Sequence, residues 1–189
     1  MGTTNVSPSV DLYMDMNTGV VLENDDLVVA SNYMHTNPPG TFFDSALKFD
    51  LSAISGTLVS AVLSLKLYQT GYGGAGDQPK YVYCCRHRNP ANIANTMTLA
   101  QMNDYEATPV DSVGFHFLSD PPPPLWMAFD VTAAITLGAL NGFVLYHQSP
   151  LGNRTSFFFR AHNYVTGADR PVLQITTAAS GFVPRITIC

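Results

Sequence analysis

Short runs in which apolar and polar residues alternate recur along the whole chain, and most are closed by Gly, Pro, Asn or Asp. A period of two buries one face of a β-strand, and repeated short strands between turn residues predict an all-β fold. The clearest run is Ala61 to Gln69, with Ala61, Leu63, Leu65 and Leu67 on one face and Val62, Ser64, Lys66 and Tyr68 on the other. A one-residue slip would bury Lys66, so the register is well specified. Further strands are predicted at 10–16, 27–33, 46–51, 80–87, 113–118, 126–131, 142–148, 156–162 and 172–177. Together they suit two packed antiparallel sheets, a jelly-roll-like β-sandwich. The run Phe157, Phe158, Phe159 is apolar on both faces, which predicts a central strand covered on both sides or an aromatic that faces a partner.

Helix is scarce, with one or two short segments predicted. Thr98 and Gln101 have the spacing of a capping box at the head of 98–106, and the Ala-rich stretch 131–140 suits a short helix ended by Gly142. No long linker divides the chain, so 1–179 reads as one domain. Residues 180–189 read as an extension: Gly181 breaks the chain, and Phe182, Val183, Ile186 and Ile188 form a β-prone apolar run interrupted by Pro184. That run is either an edge strand of the same domain or an arm that adds to a neighbouring subunit's sheet.

Charge changes the picture next. Only 12% of the residues are charged, so the surface must be built largely from Ser, Thr, Asn, Gln, Gly and backbone. A net charge of −5 offers no footprint for nucleic acid or an anionic membrane. Arg86, His87 and Arg88 are the only basic cluster and read as a solvated strand edge. Residues 1–15 lack a secretory signal and no apolar run reaches a membrane span, which predicts synthesis in the cytoplasm without a signal peptide and no membrane insertion. The final site expected is a virion or an extracellular surface assembly. Cys84 and Cys85 are adjacent and point to opposite faces, while Cys189 is the last residue; no disulfide framework or zinc spacing follows from them.

Three stretches carry a family resemblance. The first is Ser45-Ala-Leu-Lys-Phe-Asp-Leu-Ser-Ala-Ile54 running on to Val59-Ser-Ala-Val-Leu-Ser-Leu-Lys-Leu-Tyr68. The second is Trp126-Met-Ala-Phe-Asp-Val-Thr132 with Asn141-Gly-Phe-Val-Leu145, and the third is Phe157 to Arg160 with Asp169-Arg-Pro-Val-Leu-Gln-Ile175. In order and spacing they resemble the DNRLRE-type β-sandwich domain, which is classed among carbohydrate-binding modules. The resemblance implies a sandwich fold over 45–175 and binding of polysaccharide. The chain departs from that pattern at Arg160-Ala161-His162, where the family tends to have Ser-x-Glu, and in having Trp126 as its only tryptophan.

Searching for chemistry yields no Gly-x-Ser-x-Gly elbow, phosphate loop, dinucleotide fingerprint or His-Glu-x-x-His, so no catalytic set, metal or cofactor is expected. Asp50 and Asp130, each ending a Phe-Asp strand, read as caps that accept hydrogen bonds from turn amides. The acidic stretch from Glu23 through Asp25 and Asp26 has the charge of a calcium loop but not its spacing. Five histidines, at 35, 87, 116, 147 and 162, lie on different segments; His116 and His147 could meet across a sheet. Aromatic residues are the better clue. Tyr72, Tyr81, Tyr83 and Trp126 are candidates for a surface that stacks on sugar rings or docks on protein subunits. Two functions follow: a non-catalytic structural protein, such as a capsid decoration or fibre-associated protein, or an extracellular carbohydrate-binding module.

Overall fold

The computed structural model describes residues 1–22, 26–33, 41–73, 79–117, 119–120, 122–147 and 154–179. Twelve strands carry most of these: β1 (Gly2–Val6), β2 (Val10–Asp15), β3 (Val20–Leu22), β4 (Asp26–Tyr33), β5 (Thr41–Asp50) and β6 (Thr57–Gly73) come first. They are followed by β7 (Lys80–Arg86), β8 (Asp111–Phe115), β9 (Leu125–Asp130), β10 (Leu140–His147), β11 (Arg154–Arg160) and β12 (Val172–Ala178). The alternation dictates the faces. In β6, Ala61, Leu63, Leu65 and Leu67 are fully buried, while the residues between them are partly exposed.

All strand pairs are antiparallel, and the main path runs β1-β12-β6-β11-β4-β5-β10-β7-β8. β9 pairs with β6, and β2 joins β3 to β5. Two long strands make this sheet curl, because each passes from one neighbour to another. β6 gives 57–64 to β12 and 67–73 to β11, while β5 gives 45–50 to β10 and its start to β4. Register shifts interrupt the ladders at Thr176/Thr177, Phe158/Phe159 and Ala30/Tyr33, and such irregularities add bend and twist. The inner face therefore closes on itself: Phe49, Leu65, Phe129, Phe143, Phe157 and Leu173, from six strands, share one core. The all-antiparallel class expected from the sequence is the fold. Hydrogen bonding joins the described strands into one curled open sheet.

A smaller core lies on the outer face. Leu12, Met14, Ala46 and Val144 are covered there by Ile93, Met97 and Met102 of the connection between β7 and β8. Helix α1 (Leu99–Met102) sits in this connection. Its capping box forms as expected: the Gln101 amide donates to the Thr98 hydroxyl at 3.3 Å and the Thr98 amide donates to the Gln101 side chain at 2.8 Å. The helix is shorter than 98–106. His87, fully buried, pins it to the sheet; its Nδ1 accepts from the Asn89 amide at 3.1 Å, so Nε2 donates to the Gln101 carbonyl at 2.8 Å.

Other expectations change. Residues 131–140 do not form a helix beyond a 3-10 turn at Thr132–Ala134, because Val131 and Ala134 are drawn into the core and the Thr132 hydroxyl accepts from the Ala61 amide at 2.9 Å. Gly142 ends no helix. It sits inside β10, where a Cβ would lie 2.6 Å from Ile93 Cδ1 and 3.2 Å from Pro90 Cβ, so it lets the connection approach the sheet. β1 and β3 went unpredicted, since Gly-Thr-Thr-Asn-Val has no alternation and β3 has three residues. Phe158 is covered as one of the two expectations required, by Tyr68 at 6.3 Å and by a small cluster around Tyr13 and Phe43.

Candidate functional site: a tyrosine row beside Asp44

Where the β7–β8 connection stops covering the outer face, tyrosines take over. Tyr83 of β7 and Tyr146 of β10 are directly paired, and their rings stack at 5.1 Å. Tyr105, from the connection, stacks on Tyr146 at 5.7 Å, and Tyr81 lies tilted against Tyr83 at 6.2 Å. Tyr81 in turn rests on its cross-strand partner Gly114, where an added Cβ would meet the ring at 3.0 Å. The row thus spans β10, β7 and β8. Tyr146 stacks with two rings of the row, and Tyr81, 40% exposed, is its most open member. Each aromatic pair is worth about 0.5–1.5 kcal/mol beyond its buried area.

Beneath and beside the row lie an acid and a thiol. Asp44 of β5 pairs with Met14 on one side, and the β5–β10 register, carried one residue beyond Ser45 and Leu145, sets it beside Tyr146 on the other. Burial pushes the Asp44 carboxyl up to about 7, with no hydrogen bond or ion pair to offset it among the described residues. Its charge is felt by its neighbours. Burial first, then the charges of Cys85 and Asp44 among others, push the Tyr146 hydroxyl up to about 12; Tyr105 is raised for the same reasons, and burial lifts Cys85 to about 11. Cys84, on the opposite face as the alternation required, is raised further by the main core.

Of the aromatic residues singled out in the sequence, the fold brings together Tyr81 and Tyr83. Tyr105, Tyr146 and Asp44 escaped the sequence reading, because only the pairing of β10 with β7 and β5 places them beside Tyr83. Trp126 stands apart on β9, 43% exposed, with Lys66 Nζ 5.2 Å from its ring centroid and in turn 3.8 Å from Asp169. The side chain of Tyr72, the run containing Phe182, Val183, Ile186 and Ile188, and Asp25, His35 and Cys189 lie outside the described residues.

The remaining candidates have structural partners. Asp50 accepts from the Ser52 amide at 2.9 Å and Asp130 from the Thr132 amide at 3.0 Å, and these bonds hold both carboxyls below the usual range. Asp26 accepts from the Tyr68 hydroxyl at 2.6 Å and from Arg160 at 3.1 Å. Arg160 lies between two rings, 3.5 Å from the centroid of Tyr68 and 4.1 Å from that of Tyr164. Arg86 and Arg88 pair with Glu106 and Asp104 at 3.8 and 3.5 Å. His147 Nδ1 donates to the Tyr81 carbonyl at 2.7 Å and its ring packs on Phe157; the His116 amide donates to Asp120 at 2.6 Å. His162 Nδ1 meets the buried carboxylate of Asp11. Among the described residues no group of three His, Cys, Asp or Glu is placed to hold a metal ion, and no helix is long and apolar enough to cross a membrane. No family model matches the chain, and the search of curated proteins found no match.

Proposed function

We propose that this chain is a non-catalytic structural protein that docks on neighbouring protein subunits, of the kind that decorates a capsid or accompanies a fibre. The observation that supports this reading is the tyrosine row: Tyr81, Tyr83, Tyr146 and Tyr105 form a continuous aromatic strip in which Tyr81 is exposed and the other three are partly exposed. Tyrosine is enriched at interface cores because it offers large, rigid contact area together with a polar tip. Light scattering after size-exclusion chromatography tests the reading on the chain and on a Tyr81→Ser/Tyr83→Ser variant. Association that weakens in the variant supports it. A strict monomer, dispensable to the particle it is isolated from, overturns it.

A second reading, polysaccharide binding, is favoured by Trp126. Its exposed ring lies beside Lys66, and the next cross-strand pair on that face, Ala128 with Ser64, is small enough to leave room over the sheet. The resemblance of 45–175 to a carbohydrate-binding family points the same way. Retention on polysaccharide affinity gels that is lost in Trp126→Ala would favour this reading over docking.

A further inference from the structure

We propose that Asp44 and the tyrosines beside it receive the guanidinium of an arginine on a neighbouring protein subunit. This rests on the docking reading and names the group that the partner supplies. The strand register sets Asp44 beside Tyr146, and among the described residues no cation pairs with it. Lys48, on the same strand, donates to the Ile93 carbonyl at 2.7 Å, and Arg86 and Arg88 are engaged by Glu106 and Asp104. A carboxylate held among aromatic rings without a counter-charge is costly, and an arriving cation relieves that cost.

The chain already contains the arrangement in a satisfied form. Arg160 lies between the rings of Tyr68 and Tyr164 and binds Asp26, so carboxylate, tyrosine pair and guanidinium complete one another there. At Asp44 the carboxylate and the tyrosines recur, and the cation is what a partner would bring. A guanidinium suits the place better than an ammonium, because it is planar, stacks on rings and sheds water more readily.

Binding should follow the charge on Asp44. The groups facing it are Tyr146 of β10, Cys85 of β7 and Tyr105 of the connection, with the Arg86–Glu106 pair beyond; the first three stay neutral below pH 9, since burial raises each. Asp44 therefore sets the pH dependence between 6 and 8.

The test uses the isolated chain with N-acetyl-arginine methylamide and its lysine counterpart, read from the ring resonances of Tyr105 and Tyr146. Saturable shifts are expected with the arginine probe, about tenfold tighter at pH 8 than at pH 6, and lost in Asp44→Asn. The substitution is near-isosteric and removes an unpaired buried charge, so the variant should fold; an unchanged or higher melting temperature checks this. No saturable shift, equal binding by Asp44→Asn, or equal binding of the lysine probe overturns the assignment. A chain that associates through its tyrosine row yet ignores the probe overturns this inference alone, whereas a chain that never associates removes the docking reading and with it the partner.

Discussion

At the residue scale, Asp44 and His147 act on stability in opposite directions. Asp44 is raised from 3.8 to about 7, so below 3.8 it is protonated in both folded and unfolded chains and costs nothing. As pH rises through 4 to 7 the unfolded chain ionises first, and stability falls by up to about 4 kcal/mol, an upper bound that partial contact with water reduces. Asp44→Asn should therefore gain over the native chain in urea titrations at pH 8 and lose that advantage by pH 4; a gap of the same size at both pH values contradicts the assignment. His147 runs the other way. Burial lowers its pKa from 6.5, so the folded chain resists protonation, and stability present above 6.5 is lost as pH falls below it. His147→Gln should flatten that acid limb of the stability profile, and an unchanged limb would show that another group governs it. Residues acting through local chain geometry, such as the capping Asp50 and Asp130, were legible in the sequence. Asp44 and Tyr146 were not, because their roles arise from the strands placed next to them.

Among the elements, strands with strict alternation were readable because burial of one face is a sequence-local demand. The stretch 131–140 shows the limit. Its Ala and Leu favour helix, but Thr132 is tied to β6 and Val131 to the core, so tertiary contacts override propensity. β1 carries no apolar alternation and is held by its pairing with β12 and by Val6 packing on the main core. Two glycines show how tightly elements meet. Gly56, at φ +111° ahead of β6, has the Ala178 carbonyl 2.8 Å from where a Cβ would stand. Gly56→Ala should cost about 1–3 kcal/mol by urea denaturation, and a neutral result would mean that the turn relaxes freely. Gly142→Ala should cost a similar ~1–3 kcal/mol by pushing Ile93 and Pro90 off β10. Loss of protection from amide exchange in the β7–β8 connection is the companion readout, and unchanged protection there would argue against the close approach.

At the scale of the whole molecule, a low-charge chain wraps one curled antiparallel sheet around a main aromatic and aliphatic core. Its second, outer core is capped by the β7–β8 connection. That connection stops short of the strand ends, and the tyrosine row occupies the outer face it leaves. The sequence announced the β class and two members of the row, Tyr81 and Tyr83; the grouping with Tyr105, Tyr146 and Asp44 needed the order of strands, which alternation does not encode. The most direct test of docking through this row is hydroxyl-radical footprinting of the chain in its native assembly against the dissociated chain. The account predicts several-fold protection of Tyr81 and Tyr83 on assembly with Trp126 unchanged. Equal oxidation of the tyrosines in both states, or protection confined to Trp126, would contradict it.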